Sequence, residues 1–584
     1  MKANRKYLLG LLMLGILISC ARVPQQIVSE KPVVLTVDSA SKKVRNSTVR
    51  VVSLVGTARG YGSGFFVAPD KIATNIHVVA DYGPIFVESA DEKTTWFVEG
   101  VVAFDVKNDL VILKLAGEGM PFSLGNSDTV KVGDTVTIVG YPAEKYKVTP
   151  GTVQSIGGSG KNFFLKVDAP KGSSGGAVID RDGQVIGIVS SGDDFHTYAI
   201  PANVLKVLLD KPDTIESLGQ WHNRDSIRAY AYFVQSEIKN YAGNYKAEIV
   251  DLDKAVQLNA ALILPYIHRG IAKRNLGDAE STHGNLEEAR RLYKAAIEDY
   301  TQAITLDPEF FFAYNNRGNA KHALGRYKAA IEDYTQAIAL NPEYVSAYDN
   351  RGNTKYALGR YKAAIEDYTQ AITLDPKYIS AYNNRGNTKY ALGRYKAAIE
   401  DYTQAITLDP KYISAYNNRG YAKFRLAESA AARENTGKAQ RLYEAAIEDY
   451  TQAIKLNTAY IRAYQNRAHA QFRLGESKAN QGAIAEAQQS YEAVIEDLTQ
   501  VIQLAPKDAR MYDRRGVTKI VLGDYEGAIA DFDSAIHIKP EEARFYTNRA
   551  RAKEALGQLE SAKADFEKAK ELDSDVRKGT VLPK

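Results

Sequence analysis

Gly172-Ser173-Ser174-Gly175-Gly176-Ala177-Val178 is a glycine-flanked turn that leads into β-branched residues. Glycines on both sides of a hydroxyl let the backbone approach a reacting carbonyl closely. Two upstream stretches complete a chemistry with it. One is Ala73-Thr74-Asn75-Ile76-His77-Val78-Val79, the other Asn108-Asp109-Leu110-Val111-Ile112-Leu113-Lys114-Leu115. Serine hydrolysis needs a hydroxyl nucleophile, an imidazole base and a carboxylate that fixes the imidazole tautomer. Ser174, His77 and Asp109 supply these three groups. Backbone N–H groups on the serine turn can meet the developing oxyanion, each worth about 3 kcal/mol in the transition state.

Around these stretches the chain reads as short apolar and β-branched runs. They are Val49–Val55, Gly64–Val67, Val101–Phe104, Leu110–Leu115, Thr135–Val139, Phe163–Val167, Ala177–Ile179 and Val185–Val189. Many short strands with little helix predict an all-β barrel or sandwich. The chain order His, Asp, Ser belongs to the chymotrypsin arrangement among unrelated triad folds. Residues 48–205 resemble the trypsin-like serine peptidases of the HtrA branch. The resemblance rests on Gly-Ser-Gly-Phe-Phe-Val at 62–67, Thr-Asn-x-His-Val-Val at 74–79, Asp-Leu-Val-Ile-Leu-Lys at 109–114 and Gly-x-Ser-Gly-Gly at 172–176. Ile186-Gly187-Ile188-Val189-Ser190 and Tyr198-Ala199-Ile200-Pro201 also fit it. It implies a double β-barrel, with His77 as base, Asp109 as orienter and Ser174 as nucleophile. It also implies an oxyanion hole from the N–H groups of Gly172 and Ser174. Ile188, Val189, Ser190 and Ser191 are expected to wall a specificity pocket for small or aliphatic side chains.

The chain departs from that family at two places. Ser173 stands where Asn is usual and Ala177 where Pro is usual. The segment Asp168–Ser174 is also short, so Asp168 reads as a structural residue rather than a selector for basic side chains. Digestive relatives pair a newly cut N-terminus with an Asp beside the serine. That neighbour is Ser173 here, which argues against a cleavage-activated zymogen. Asp105 reads as a surface or turn residue. The alternative for this half is a peptidase fold kept as an inert scaffold.

The second half repeats itself. Ala347-Tyr348-Asp349-Asn350-Arg351-Gly352 returns as Ala381-Tyr382-Asn383-Asn384-Arg385-Gly386 and as Ala415-Tyr416-Asn417-Asn418-Arg419-Gly420, each 34 residues on. Apolar residues fall at helical spacing in two runs per unit, broken by Gly and closed near Pro. The unit resembles the tetratricopeptide repeat (TPR), with Arg351 in place of the usual Leu. Nine units start at Ala231, Pro265, Ala313, Ala347, Ala381, Ala415, Ala463, Met511 and Phe545. Three intervals are 48 residues, and the extra 14 fall between a unit's two helices. Shared evenly, they add about two turns to each helix, at ~3.6 residues per turn. A disordered loop is the other reading; the Ala, Glu, Gln and Arg content favours helix. Asn316, Asn350, Asn384 and Asn418 recur at one position, with Asn319, Asn353 and Asn387 one turn later. In this family that face lines a concave groove, and stacked amides there could bind a peptide backbone, as in the O-GlcNAc transferase repeats. Alternatively, near-identical units copy the same inter-helix residue.

The N-terminus reads as an address. Lys2, Arg5 and Lys6 precede an apolar run, Tyr7–Ile18, too short to span a bilayer comfortably. Leu17-Ile18-Ser19-Cys20 resembles the bacterial lipobox, which implies lipidation of Cys20 and a membrane anchor. The alternative is a plain signal peptide with a chance cysteine. Cys20 is the chain's one cysteine, so an intramolecular disulfide is excluded.

The composition of the 584 residues is that of a folded protein, 45% hydrophobic and 25% charged. The length calls for at least two domains. A formal charge of +5 over that length, without a basic stripe, argues against nucleic-acid binding. No metal or organic cofactor is implied.

The expected plan is multidomain: signal peptide 1–19, lipid-anchored tether 20–45, chymotrypsin-like double β-barrel 46–210, linker 211–230, and an all-α TPR superhelix over 231–580. The tail after Asp573 lacks apolar periodicity and is expected to be loose. Such a chain would be an exported serine endopeptidase of the bacterial envelope, in the periplasm or on the extracellular side. Its repeats would recruit a protein substrate or partner. The alternative is an envelope scaffold with an inert or self-processing barrel.

Overall fold

The computed structural model describes residues 38–579, apart from 56–57, 82, 143–144, 158–161, 168–171 and 193–196. The signal segment, Cys20, the tether up to residue 37 and Asp168 lie outside the described residues. Two closed six-stranded barrels come first. The first holds β1 (Thr48–Val55), β2 (Ala58–Ala68), β3 (Lys71–Asn75), β4 (Ile85–Ser89), β5 (Thr95–Asp105) and β6 (Leu110–Leu115), in the order 1-2-3-6-5-4. The second holds β7 (Thr135–Gly140), β8 (Lys147–Gly157), β9 (Asn162–Lys166), β10 (Ala177–Ile179), β11 (Val185–Gly192) and β12 (Thr197–Pro201), in the order 10-11-12-9-8-7. Seven of the eight expected strands lie within these twelve, and Phe163–Val167 runs one residue past the end of β9. The strands missed were β3, β4, β8 and β12, among which β8 carries Pro150 and Gly151, residues that read as turn.

Between the barrels, Phe65, Leu110 and Ile112 pack against Val139, Ile179 and Ile188. Val44 joins this cluster from a helix at Asp38–Ser47. The end of the expected tether to residue 45 is therefore helical, and Val44 within it makes an apolar contact with the barrels. The expected linker over 211–230 is also packed rather than free. Trp221 is fully buried, with Ile227 and Phe233, in the first barrel's core beside Phe66, Val79 and Leu113. His222 Nε2 donates to the Val79 carbonyl at 2.9 Å. The helix Asp225–Tyr241 thus begins inside the segment assigned as linker and closes one end of the barrel.

Nine helix pairs follow among the described residues, from Asp225 to Gly579. A standard pair is Val345–Ala357 with Tyr361–Leu374, of 13 and 14 residues. Gly352 lets the two helices meet, since a Cβ there would lie 2.7 Å from the buried Tyr368 ring. The inserted residues are helical. Ile263–Thr282 and Leu286–Leu306 have 20 and 21 residues, and both later long pairs have 19 and 21. The last helix continues to Gly579, so the tail from Asp573 is not loose over that stretch.

Arg at the variant position has a physical role. Arg351 Nη2 meets Asp367 at 2.8 Å, Lys355 meets the same carboxylate at 2.7 Å, and Arg351 Nη1 donates to Thr335 of the preceding unit at 3.0 Å. The guanidinium also covers the Tyr348 ring at 5.6 Å. The same pairing joins Arg317 with Asp333, Arg385 with Asp401 and Arg515 with Asp531.

Candidate active site

Register brings the first two candidate groups together. β3 pairs with β6 so that Asn75 faces Leu110, which sets His77 beside Asp109. His77 lies in the first turn of the short helix Ile76–Val79, and its Nδ1 is hydrogen-bonded to Asp109 Oδ2. The His77 N–H also donates to Asp109 Oδ1 at 3.0 Å. Asp109 has a positive φ of 54°, a strained backbone for a non-glycine residue. That conformation is held by its carbonyl, which accepts from Ile76 N–H at 3.1 Å and Asn75 Nδ2 at 2.9 Å. Burial pushes the His77 pKa down. The charge and hydrogen bond of Asp109, together with the charge of Glu237, more than offset this and raise it above 6.5.

The serine turn comes from the second barrel and is clamped to the first by one residue, Ser63. Its Oγ donates to the Gly172 carbonyl at 2.7 Å and accepts from Tyr141 N–H at 2.8 Å. Its N–H donates to the Ser174 carbonyl at 2.8 Å. Its own carbonyl accepts from Thr74 Oγ1 at 2.7 Å, three residues before His77. Gly175 has φ +83°, and a Cβ there would lie 2.0 Å from the Ser63 carbonyl oxygen. No other residue fits that position. Gly172, at φ +88°, turns the chain just before the serine. Ser173 is buried, so the small side chain at this variant position faces inward.

Ser190 lies over the His77–Asp109 pair. Its hydroxyl is 3.4 Å from Asp109 Oδ2 and 3.1 Å from the Tyr198 hydroxyl. Ile188 and Val189 differ from expectation. Both are buried in barrel cores, at 0% and 2% exposure, so their side chains do not wall a pocket. Strand alternation and core packing on both faces leave them no access to solvent. The Ser191 side chain is outside the described residues. Asp105 accepts from Asn108 N–H at 3.1 Å and Asn108 Nδ2 at 2.7 Å, which closes the turn before Asp109. Ser63 escaped the sequence reading as a separate element, although it sits inside the Gly-Ser-Gly stretch quoted there.

The repeat asparagines are engaged, some between units and some within one. Asn350 Nδ2 donates to Asn315 at 3.0 Å, Asn384 Nδ2 to Asp349 at 3.0 Å and Asn418 Nδ2 to Asn383 at 3.1 Å. Asn316 instead donates to its own helix, at the Phe312 carbonyl. Asn319, Asn353 and Asn387 accept from the hydroxyls of Tyr334, Tyr368 and Tyr402 at 2.8, 2.9 and 2.8 Å. Four of the seven, Asn353, Asn384, Asn387 and Asn418, also line a recess of about 310 Å³ with Tyr356, Tyr390 and Tyr421. Asn316, Asn319 and Asn350 do not line it.

Residues 62–188 match the family model of the trypsin-like peptidase domain. Residues 284–325, 318–359, 352–393 and 386–426 match one tetratricopeptide repeat model, and 469–497 and 543–576 match two others. The chain therefore carries a trypsin-like peptidase domain joined to tetratricopeptide repeats. Among its relatives is a probable periplasmic serine endoprotease, DegP-like, of Chlamydia pneumoniae. It is 35% identical over 166 residues, which cover 26% of this chain and 34% of that protein. The similarly named protein of Hahella chejuensis is 36% identical over 173 residues, covering 27% and 36%. The chain thus spans about a third of the length of these relatives. A protease of Mycobacterium tuberculosis, solved in its active form, is 25% identical with a TM-score of 0.29, covering 31% of this chain and 87% of its own.

Proposed function

We propose that this chain is a serine endopeptidase acting through Ser174, His77 and Asp109. The observation that carries the reading is the His77–Asp109 hydrogen bond, made beside a serine turn clamped to the same barrel by Ser63. With Nδ1 engaged by Asp109, His77 Nε2 is the nitrogen left to receive a proton. Ser174 Oγ attacks the peptide carbonyl while His77 takes the hydroxyl proton. The N–H groups of Gly172 and Ser174 receive the oxyanion. His77 then protonates the leaving amine, and the C–N bond breaks to leave an acyl-serine. Water, deprotonated by His77, attacks that ester and releases the acid and free Ser174. The periplasmic naming of the relatives fits an exported protein held by a lipid at Cys20. Among the described residues no helix is long and apolar enough to cross a membrane. The repeat recess, lined by amides and tyrosines, fits recruitment of a protein substrate or partner.

The test is labelling of the full chain with a fluorophosphonate, alongside cleavage of an unfolded protein. Wild type should label and cleave, and Ser174→Ala should do neither. Absence of both in wild type would defeat the peptidase reading and move weight to an envelope scaffold.

A further inference from the structure

The repeats enclose a cavity against the peptidase barrels. Its volume is about 610 Å³, within the range of ligand sites. One wall is barrel: Asp109, Phe164 and Tyr198. The other is repeat: Tyr230, Leu264 and Phe312. Two contacts hold the walls apart at a set distance. The Tyr230 hydroxyl donates to the Val106 carbonyl at 2.9 Å, and Phe311 packs edge-on against Phe164 at 4.8 Å, itself backed by Tyr344 at 4.9 Å. Neither unit alone would form this space.

We infer that this cavity is a subsite for an apolar, extended segment of the polypeptide substrate, so that the repeats build part of the peptidase's own cleft. The inference rests on the peptidase reading above. Three observations select a peptide as the occupant. Asp109 and Tyr198, the two groups that flank the Ser190 hydroxyl, line the cavity, which sets it next to the His77–Asp109 pair. Asn162 lines it too, and its Oδ1 is buried with no hydrogen-bond partner among the described residues. That oxygen is an acceptor suited to a peptide N–H, and a buried acceptor left unpaired is costly. The third observation is charge. Among the lining side chains Asp109, Glu237 and Asp307 oppose Lys107 alone, and burial lowers the pKa of His268 so that it adds no positive charge. The carboxylate of a fatty acid would be repelled there, whereas a neutral peptide backbone bearing apolar side chains would not.

The test uses the full chain as Ser174→Ala, which can bind without cleaving. A short dye-labelled peptide alternating leucine and threonine is titrated by anisotropy, against a Gly-Ser peptide of equal length and against dodecanoate. The apolar peptide should bind saturably and the Gly-Ser peptide should not. Leu264→Asp places a charge in the repeat wall, and Ala261→Trp fills the cavity from an exposed turn. Each should weaken binding by about tenfold or more, with a melting curve to show that the chain is folded. Undiminished binding in both variants, no binding at all, or displacement by dodecanoate would overturn the inference. Fluorophosphonate labelling of wild type reads the peptidase separately, so loss of that reading and loss of the subsite give different results.

Discussion

His77 lies where a repeat helix can tune it. Glu237, on the helix Asp225–Tyr241, is one of the charges that raise its pKa above 6.5. His77 must be neutral to accept the Ser174 proton. The acid limb of kcat/KM should therefore have its midpoint above pH 6.5, with activity lost as pH falls through it. Removing a neighbouring negative charge favours the neutral imidazole, so Glu237→Gln should move that limb to lower pH. An unmoved or upward-shifted midpoint would disprove the coupling. Ser63 is the positioning residue to test beside it. Ser63→Ala strands the Gly172 carbonyl and the Tyr141 N–H. With ~1 kcal/mol for each of the two hydrogen bonds, kcat should fall about thirtyfold with KM little changed, and the fluorophosphonate labelling rate should fall alike. The Ser174, His77 and Asp109 stretches were legible because each motif is local and their order is diagnostic. Ser63 was not singled out because its role exists only once the two barrels meet.

At the scale of the element, the repeats are held by close packing and by buried ion pairs. Gly352→Ala pushes a methyl into the Tyr368 ring and should cost about 1–3 kcal/mol, measured by denaturant unfolding. Asp367→Ala leaves Arg351 and Lys355 facing each other without their carboxylate, and should cost about 3 kcal/mol by the same measure. In the first unit, burial raises Glu248 to about 7, against two hydrogen bonds from Asn240 Nδ2 that favour its charged form. The unfolded chain ionises this group near 4.5, so the native state binds the extra proton between there and about 7. Stability should fall as pH rises across that window. Glu248→Gln should remove the slope, which thermal melts at several pH values would show. Helix lengths in the long pairs could be read from a 14-residue insertion because whole turns preserve the packing face. The use of the asparagines could not. The same amide spacing serves a groove or a unit-to-unit bond, and only the neighbouring helix decides between them.

At the scale of the whole molecule, the peptidase unit does not end where its strands end. Trp221, Ile227 and Phe233 are buried in the first barrel's core, each contributing about 1.5–3 kcal/mol. A chain cut after Asp210 should therefore be poorly soluble and melt early, whereas one that runs to Leu258 should fold. Matched expression and melting of the two would check this, and equal stability would refute it. By itself, the sequence determined two architectures: short β-rich runs with His, Asp and Ser in order, and a 34-residue helical period with whole-turn insertions. Both are local or periodic properties, set by spacing along the chain. Only the tertiary structure decided that the polar segment after Asp210 seals a barrel, that Ile188 and Val189 are core, and that repeat and barrel side chains share one cavity. Those outcomes depend on which distant surfaces exclude water together, and a one-dimensional pattern does not carry that information.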